Sequence, residues 1–144
     1  MNQITQRCAS CGTRNKIYPD KQHLRPRCGR CGAPLTVGPV ELTDADFGSF
    51  INAGSLPVMV DFYSPTCGPC QMLNPVVTRL AAKFSGTLQV AKIDTGRNPL
   101  TANHYQIRGV PTLLFFSHGK VIEQLVGAMP EGELTQRIQQ LIRT

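Results

Sequence analysis

Hydrophobic and polar positions follow two different periods along most of this chain. The run Pro57-Val58-Met59-Val60-Asp61-Phe62-Tyr63 is short and nearly continuously apolar, which predicts a strand covered on both faces. From about residue 68 to 84, Leu73, Val76, Val77, Leu80, Ala81 and Phe84 recur at three-and-four spacing, the stripe of an amphipathic helix. Pro75 falls inside that stripe and is expected to kink it, because residue 71 loses its hydrogen-bond partner. Upstream, Thr43 with Asp46 three residues later has the form of a helix start, with Phe47, Phe50 and Ile51 as the apolar face and Gly54 as the stop. Downstream come a strand over 88–94, a short helix from Asn98-Pro99 to near Tyr105, and a strand over 112–116. A turn at His118-Gly119, a strand over 121–126 and a last helix from Pro130 with Leu134, Ile138, Leu141 and Ile142 complete the pattern. Strands alternating with helices and closed by a hairpin and a helix predict an α/β fold, a mixed central sheet with helices on both faces.

The first 39 residues do not share this pattern. Their apolar positions are few (Ile4, Ile17, Tyr18, Leu24, Leu35, Val37), and their Pro/Gly content rises toward Gly38-Pro39, so a module over 1–38 is expected ahead of a domain over 39–144. Charge divides the chain at the same place. Arg7, Arg14, Lys16, Lys21, Arg25, Arg27 and Arg30 face only Asp20, so this segment carries the whole formal charge of +6 and the remainder is neutral. No apolar run reaches the roughly 18 residues of a membrane span, and the N-terminus lacks the apolar segment of a signal peptide, so a cytoplasmic protein without membrane partners is expected.

In a reducing cytosol, three Cys-x-x-Cys pairs read as metal and redox chemistry rather than a disulfide frame. Cys8-Ala9-Ser10-Cys11 and Cys28-Gly29-Arg30-Cys31, with sixteen residues between, have the spacing of a structural tetrahedral Zn²⁺ site. The glycines in and after the pairs (Gly12, Gly29, Gly32) permit tight knuckles, and the segment resembles a zinc ribbon. So small a module draws most of its stability from the metal. Disulfides or redox sensing by these four cysteines are the competing reading, and His23 is a weaker candidate ligand.

The third pair is placed differently, where a strand gives way to a helix. There Cys67 meets unpaired backbone N–H groups and the positive end of the helix dipole, which favour a thiolate and make it the candidate nucleophile. Cys70, one turn on and more shielded, suits the resolving thiol. Pro69 is tolerated because its missing N–H would have no partner in the first turn. Asp61, inside the buried strand, is expected to titrate high and to take a proton from Cys70, with Lys92 in the neighbouring strand tuning it by charge or simply solvated.

With Cys67-Gly68-Pro69-Cys70, Asp61 six residues before it, Pro75 five after it and Gly109-Val110-Pro111-Thr112 further on, residues from about 40 to 144 resemble the thioredoxin family. The resemblance implies the thioredoxin fold and reduction of disulfides in protein substrates. It also implies recycling by a thioredoxin reductase that draws on NADPH. The chain itself has no glycine fingerprint or P-loop, so no bound flavin or nucleotide is expected. The resemblance further implies a cis-proline loop at Val110-Pro111 that lends backbone to a substrate strand. Gly127 and Ala128 would complete the rim, with Thr66, Gly68 and Pro69 beside the cysteines. The domain behind a zinc ribbon resembles a ribbon-bearing bacterial branch of the family.

One departure matters: Thr66 stands where family members usually carry tryptophan, and the chain has none. An oxidant or isomerase is therefore a second reading. A third, from another class, is an adaptor in which the basic ribbon binds nucleic acid or a partner. Seven cations with only Tyr18 as an aromatic provide electrostatics without a stacking platform, which argues against nucleic acid.

Overall fold

The computed structural model describes residues 4–8, 11–17, 27–33, 39–53, 56–84 and 87–142. Gly54, His23, Tyr18 and the 34–38 part of the linker lie outside the described residues.

Strands β1 (Ile4–Arg7) and β2 (Arg14–Ile17) form an antiparallel two-stranded sheet, with Arg7 opposite Arg14. Then follow β3 (Val40–Leu42), α1 (Phe47–Asn52), β4 (Val58–Tyr63), α2 (Gly68–Lys83), β5 (Gln89–Asp94), α3 (Pro99–His104), β6 (Thr112–Ser117), β7 (Lys120–Val126) and α4 (Glu131–Ile142). Their five strands lie in the order β3-β5-β4-β6-β7, parallel between β3, β5 and β4 and antiparallel from β4 through β6 to β7. This is the expected mixed sheet. Among the described residues no helix is long and apolar enough to cross a membrane.

Alternation along the strands divides the core in two. Met59, Val90, Leu113, Phe115 and Leu125 pack on Leu73, Val77 and Leu80 of α2 and on Leu134 and Ile138 of α4. Val58, Val60, Phe62, Ala91, Ile93, Leu114 and Phe116 pack on Phe47 and Ile51 of α1, with Tyr105 against them. Phe47 anchors the second layer, its ring 5.9 Å from that of Phe62, 5.5 Å from Tyr105 and 5.8 Å from Phe116. Because both faces are covered, β4 and β6 are buried at every position but their last. That is why they read as nearly continuous apolar runs, with Asp61 the one charged residue in them.

The start of the first helix is a correction. Regular helix begins at Phe47 with Asp46 as N-cap, not at Thr43. Half of the expected box forms: Asp46 Oδ1 accepts the Thr43 N–H at 2.7 Å. Residues 44–46 make a turn, in which the Asp44 N–H donates to Asn98 Oδ1 at 2.9 Å. Helix α2 is continuous through Pro75.

The β6–β7 hairpin depends on its glycine. Gly119 has φ +80°, and a Cβ there would overlap Asn52 Oδ1 at the end of α1. Asn52 is held in place because its Nδ2 donates to the Gly48 carbonyl at 2.7 Å.

Candidate active site and four-cysteine centre

Strand β4 ends at Tyr63, and the chain turns through residues 64–67 into α2. The Cys67 N–H donates to the Ser64 carbonyl at 3.1 Å, and Gln71 Nε2 donates to the Pro65 carbonyl at 2.9 Å, so the loop is pinned from both sides. Cys67 is the N-cap of α2, where its sulfur accepts the Cys70 N–H at 3.2 Å. Gly68 and Pro69 fill the first helical positions and are exposed. Cys67 and Cys70 are joined as a disulfide with Cα atoms 5.2 Å apart. Cys67 is half-buried and Cys70 is only 3% exposed, so the pair presents one sulfur outward. Thr66 is exposed, its hydroxyl 3.1 Å from that of Ser64.

The second wall is the loop before β6. The Val110–Pro111 bond is cis, and the Val110 carbonyl oxygen lies 3.6 Å from Cys67 Sγ. Gly127, at φ +92°, donates its N–H to the Pro111 carbonyl at 2.8 Å. Ala128 follows, exposed. The structure thus ties Val110, Pro111 and Gly127 to Cys67.

Behind the disulfide lies Asp61, 1% exposed, with neither carboxylate oxygen hydrogen-bonded among the described residues. Burial pushes its carboxyl from 3.8 up to about 6; the charge of Lys92 opposes this and that of Glu41 adds to it. Asp61 and Cys70 line one cavity of about 120 Å³ with Tyr63, Ser64, Pro65, Gln71, Asn74 and Lys92, large enough for water. Lys92 is opposite Asp61 in β5 but does not pair with it; its ammonium lies 4.6 Å from the centroid of the Tyr63 ring and donates to Asn74 Oδ1.

The four remaining cysteines converge at the other sheet. Two knuckles repeat one geometry: Cys8 N–H to the Thr13 carbonyl and Cys28 N–H to the Ala33 carbonyl are both 2.8 Å, and Gly12 N–H to Cys8 and Gly32 N–H to Cys28 are both 2.9 Å. Gly12 (φ +78°) and Gly32 (φ +77°) close them. The sulfurs of Cys8, Cys11, Cys28 and Cys31 lie within 4.8 Å of one another, with Cys8–Cys31 at 3.5 Å and Cys11–Cys28 at 3.6 Å. Tetrahedral Zn²⁺ with bonds of about 2.3 Å sets sulfurs about 3.8 Å apart, so the donors present fit that ion. None of the four is in a disulfide. Asn15 joins the knuckles: its Oδ1 accepts the Gly29 N–H at 2.9 Å and its Nδ2 lies 3.4 Å from Cys28 Sγ. Hydrogen bonds from the Cys31 backbone and the Asn15 amide bring the Cys28 thiol down to about 6.

Sequence reasoning missed Asn15 and Glu41. Neither sits in a motif, and each acts on residues distant in the chain.

A helix-capping cysteine bonded to a buried one over an unpaired carboxylate, in a mixed sheet covered by helices, defines a thiol–disulfide oxidoreductase. Comparisons with known proteins agree. The thioredoxin family model matches residues 38–140. "Thioredoxin C-3" of Corynebacterium nephridii is 35% identical over 137 residues, 94% of each chain. "Thioredoxin 1" of a Nostoc species is 39% identical over 99 residues, 69% of this chain and 92% of that one. Among solved structures, a mutant thioredoxin from Halobacterium salinarum is 37% identical with a TM-score of 0.66, covering 72% of this chain and 90% of the other. The chain belongs to the thioredoxin family.

Proposed function

We propose that this protein is a cytoplasmic protein-disulfide reductase, with a structural zinc ribbon over residues 1–38 and its thioredoxin domain over 39–144, a layout similar to bacterial thioredoxin 2. The observation that carries the reading is the asymmetry of the pair, Cys67 half-buried at the helix cap and Cys70 buried beside Asp61.

In the reduced protein the Cys67 thiolate, stabilised by the helix N-terminus, attacks one sulfur of a substrate disulfide. The substrate S–S bond breaks, and its other sulfur leaves as a thiolate that takes a proton from water. Cys70 then loses its proton to Asp61 through water in the shared cavity and attacks Cys67 Sγ. The mixed disulfide breaks, the second substrate sulfur leaves as a thiolate, and the Cys67–Cys70 bond forms. Two electrons pass to the substrate, and a thioredoxin reductase returns them. Val110, Pro111, Gly127 and Ala128 hold an extended substrate segment by its backbone, with Thr66, Gly68 and Pro69 beside it. Lys92 limits how far burial raises Asp61. Cys8, Cys11, Cys28 and Cys31 hold one Zn²⁺, which supplies folding energy to the ribbon and takes no part in exchange.

The reduction potential of Cys67–Cys70 in the zinc-loaded protein tests this reading. A value near about −270 mV, general for thioredoxin, is expected; a value near about −200 mV or above supports instead the oxidant or isomerase that Thr66 raises.

A further inference from the structure

We propose that Glu41 is a positioning residue for thiol–disulfide exchange: from the edge strand it orients Tyr63 and sets the charge around the Asp61–Cys70 cavity. This deepens, and rests on, the reading of Asp61 as proton acceptor.

The register of three adjacent strands makes the link. Glu41 of β3 is opposite Lys92 of β5, and Lys92 is opposite Asp61 of β4. Directly opposed residues point to the same face, so the three charges form one row across the sheet. Tyr63, two residues beyond Asp61, shares that face. Its hydroxyl donates to Glu41 Oε2 at 2.8 Å, and its ring lies under Lys92. The lysine is held by Asn74 and the Tyr63 ring, and the tyrosine by Glu41. One wall of the cavity, Tyr63, is therefore held by a residue outside it, and the Lys92 ammonium rests on that wall and on Asn74.

The groups facing this end of the sheet are Asp61 and Tyr63 from β4, Lys92 and Asp94 from β5, Glu41 from β3 and Cys70 from α2. Strand β6 sets uncharged Leu113 opposite Asp61. Asp94 is occupied locally, its Oδ1 accepting the N–H of Gly96 at 2.9 Å and of Arg97 at 3.4 Å. Burial dominates the upward displacement of Asp61, Lys92 works against it and Glu41 works with it. Removing the Glu41 charge must therefore ease ionisation of Asp61, and removing the Lys92 charge must hinder it. Two strand spacings, about 9.6 Å, separate Glu41 from Asp61, and Glu41 is exposed, so the effect is modest and weakened by salt.

The test uses full-length, zinc-loaded protein. The Asp61 carboxyl carbon is titrated by NMR in the oxidised state, where Cys70 does not ionise, for wild type, Glu41→Gln, Glu41→Ala and Lys92→Gln. Each variant's pH–rate profile is then recorded on a disulfide-containing peptide. At low salt, Glu41→Gln is expected to lower the Asp61 midpoint by about 0.3 to 1 pH unit and move the rate inflection with it, while Lys92→Gln moves both upward. Glu41→Ala adds a change at the Tyr63 ring that Glu41→Gln, still able to accept the phenol hydrogen bond, does not. An unmoved Asp61 midpoint in Glu41→Gln, with Lys92→Gln shifting it, overturns the role of Glu41. A midpoint that moves while the rate inflection stays put overturns Asp61 as proton acceptor, and with it any part of Glu41 in the reaction.

Discussion

Asp44 caps a helix whose free N–H groups lie 56 and 57 residues further along the chain. Its Oδ1 accepts the N–H of Thr101 at 2.8 Å and its Oδ2 that of Leu100 at 3.3 Å, while its own N–H donates to Asn98 Oδ1. Asn98 is the N-cap of α3 but provides no side-chain cap bond, so the orphan donors of that short helix are satisfied from the β3–α1 turn.

Asp44→Ala is expected to lower the midpoint of thermal unfolding by about 2 to 6 °C, with Asp44→Asn recovering part of the loss. Partial burial pushes the Asp44 carboxyl up, but its bonds to Thr101 and Leu100 outweigh this and hold it below 3.8. A depressed folded value stabilises at pH above the unfolded one. The contribution is thus complete above 3.8 and lost as pH falls through the folded value. Calorimetry at neutral and strongly acid pH checks both the size and this sign.

Asp61→Asn has the opposite pH signature. The Asp61 carboxyl lies at about 6 in the fold against 3.8 ordinarily, so the native state binds more protons and ionisation works against folding. Stability falls as pH rises through that window and stays reduced above it; the gap corresponds to about 3 kcal/mol at pH 7. Urea unfolding of the oxidised protein should find Asp61→Asn up to about 3 kcal/mol more stable than wild type at pH 7, with the difference shrinking as pH falls from about 6 and gone below 3.8. An advantage that does not vary with pH would count against this electrostatic account.

Cys70→Ser should leave the nucleophile and remove the second attack. Turnover is expected to fall on the order of 10³-fold or more, with a covalent substrate adduct on Cys67 visible by mass spectrometry. The Cys67→Ser variant should be equally inactive and form no adduct. Adducts on Cys70 in that variant would reverse the assignment of the two thiols.

Chelation should unfold the two-stranded sheet and leave the five-stranded one folded. One Zn²⁺ per chain is expected by elemental analysis, lost with Cys28→Ser. Amide spectra should show resonances of β1 and β2 collapsing while those of β4 and β6 persist. Collapse of both sheets together would make the metal part of one cooperative unit.

Gly119→Ala should cost about 1 to 2 kcal/mol, since a side chain is strained at φ +80° and its Cβ would overlap Asn52. In an Asn52→Ala background the overlap disappears and the backbone term remains, so the double variant should recover part of the loss. Denaturant unfolding of the four proteins closes the cycle.

Much of this protein is determined by the sequence alone, because the relevant physics is local. The apolar run at 57–63 and the stripe at 68–84 specify a buried strand and an amphipathic helix within a residue or two of the observed β4 and α2. The Cys-x-x-Cys spacing brings thiols together over one knuckle or one helical turn, and a carboxylate within an apolar run has to be buried. Thr43 shows the limit of local reading: it begins a good capping pattern, but the helix starts at Phe47 and Asp44 serves α3 instead. Only tertiary structure decided which distant groups meet. Strand order sets Glu41 beside Lys92 and Lys92 beside Asp61, the cis loop at Val110 against Cys67, Asn15 across both knuckles, and Asn52 under Gly119. Those contacts join residues from 13 to more than 60 positions apart, and pairing and packing create them when the sheet closes.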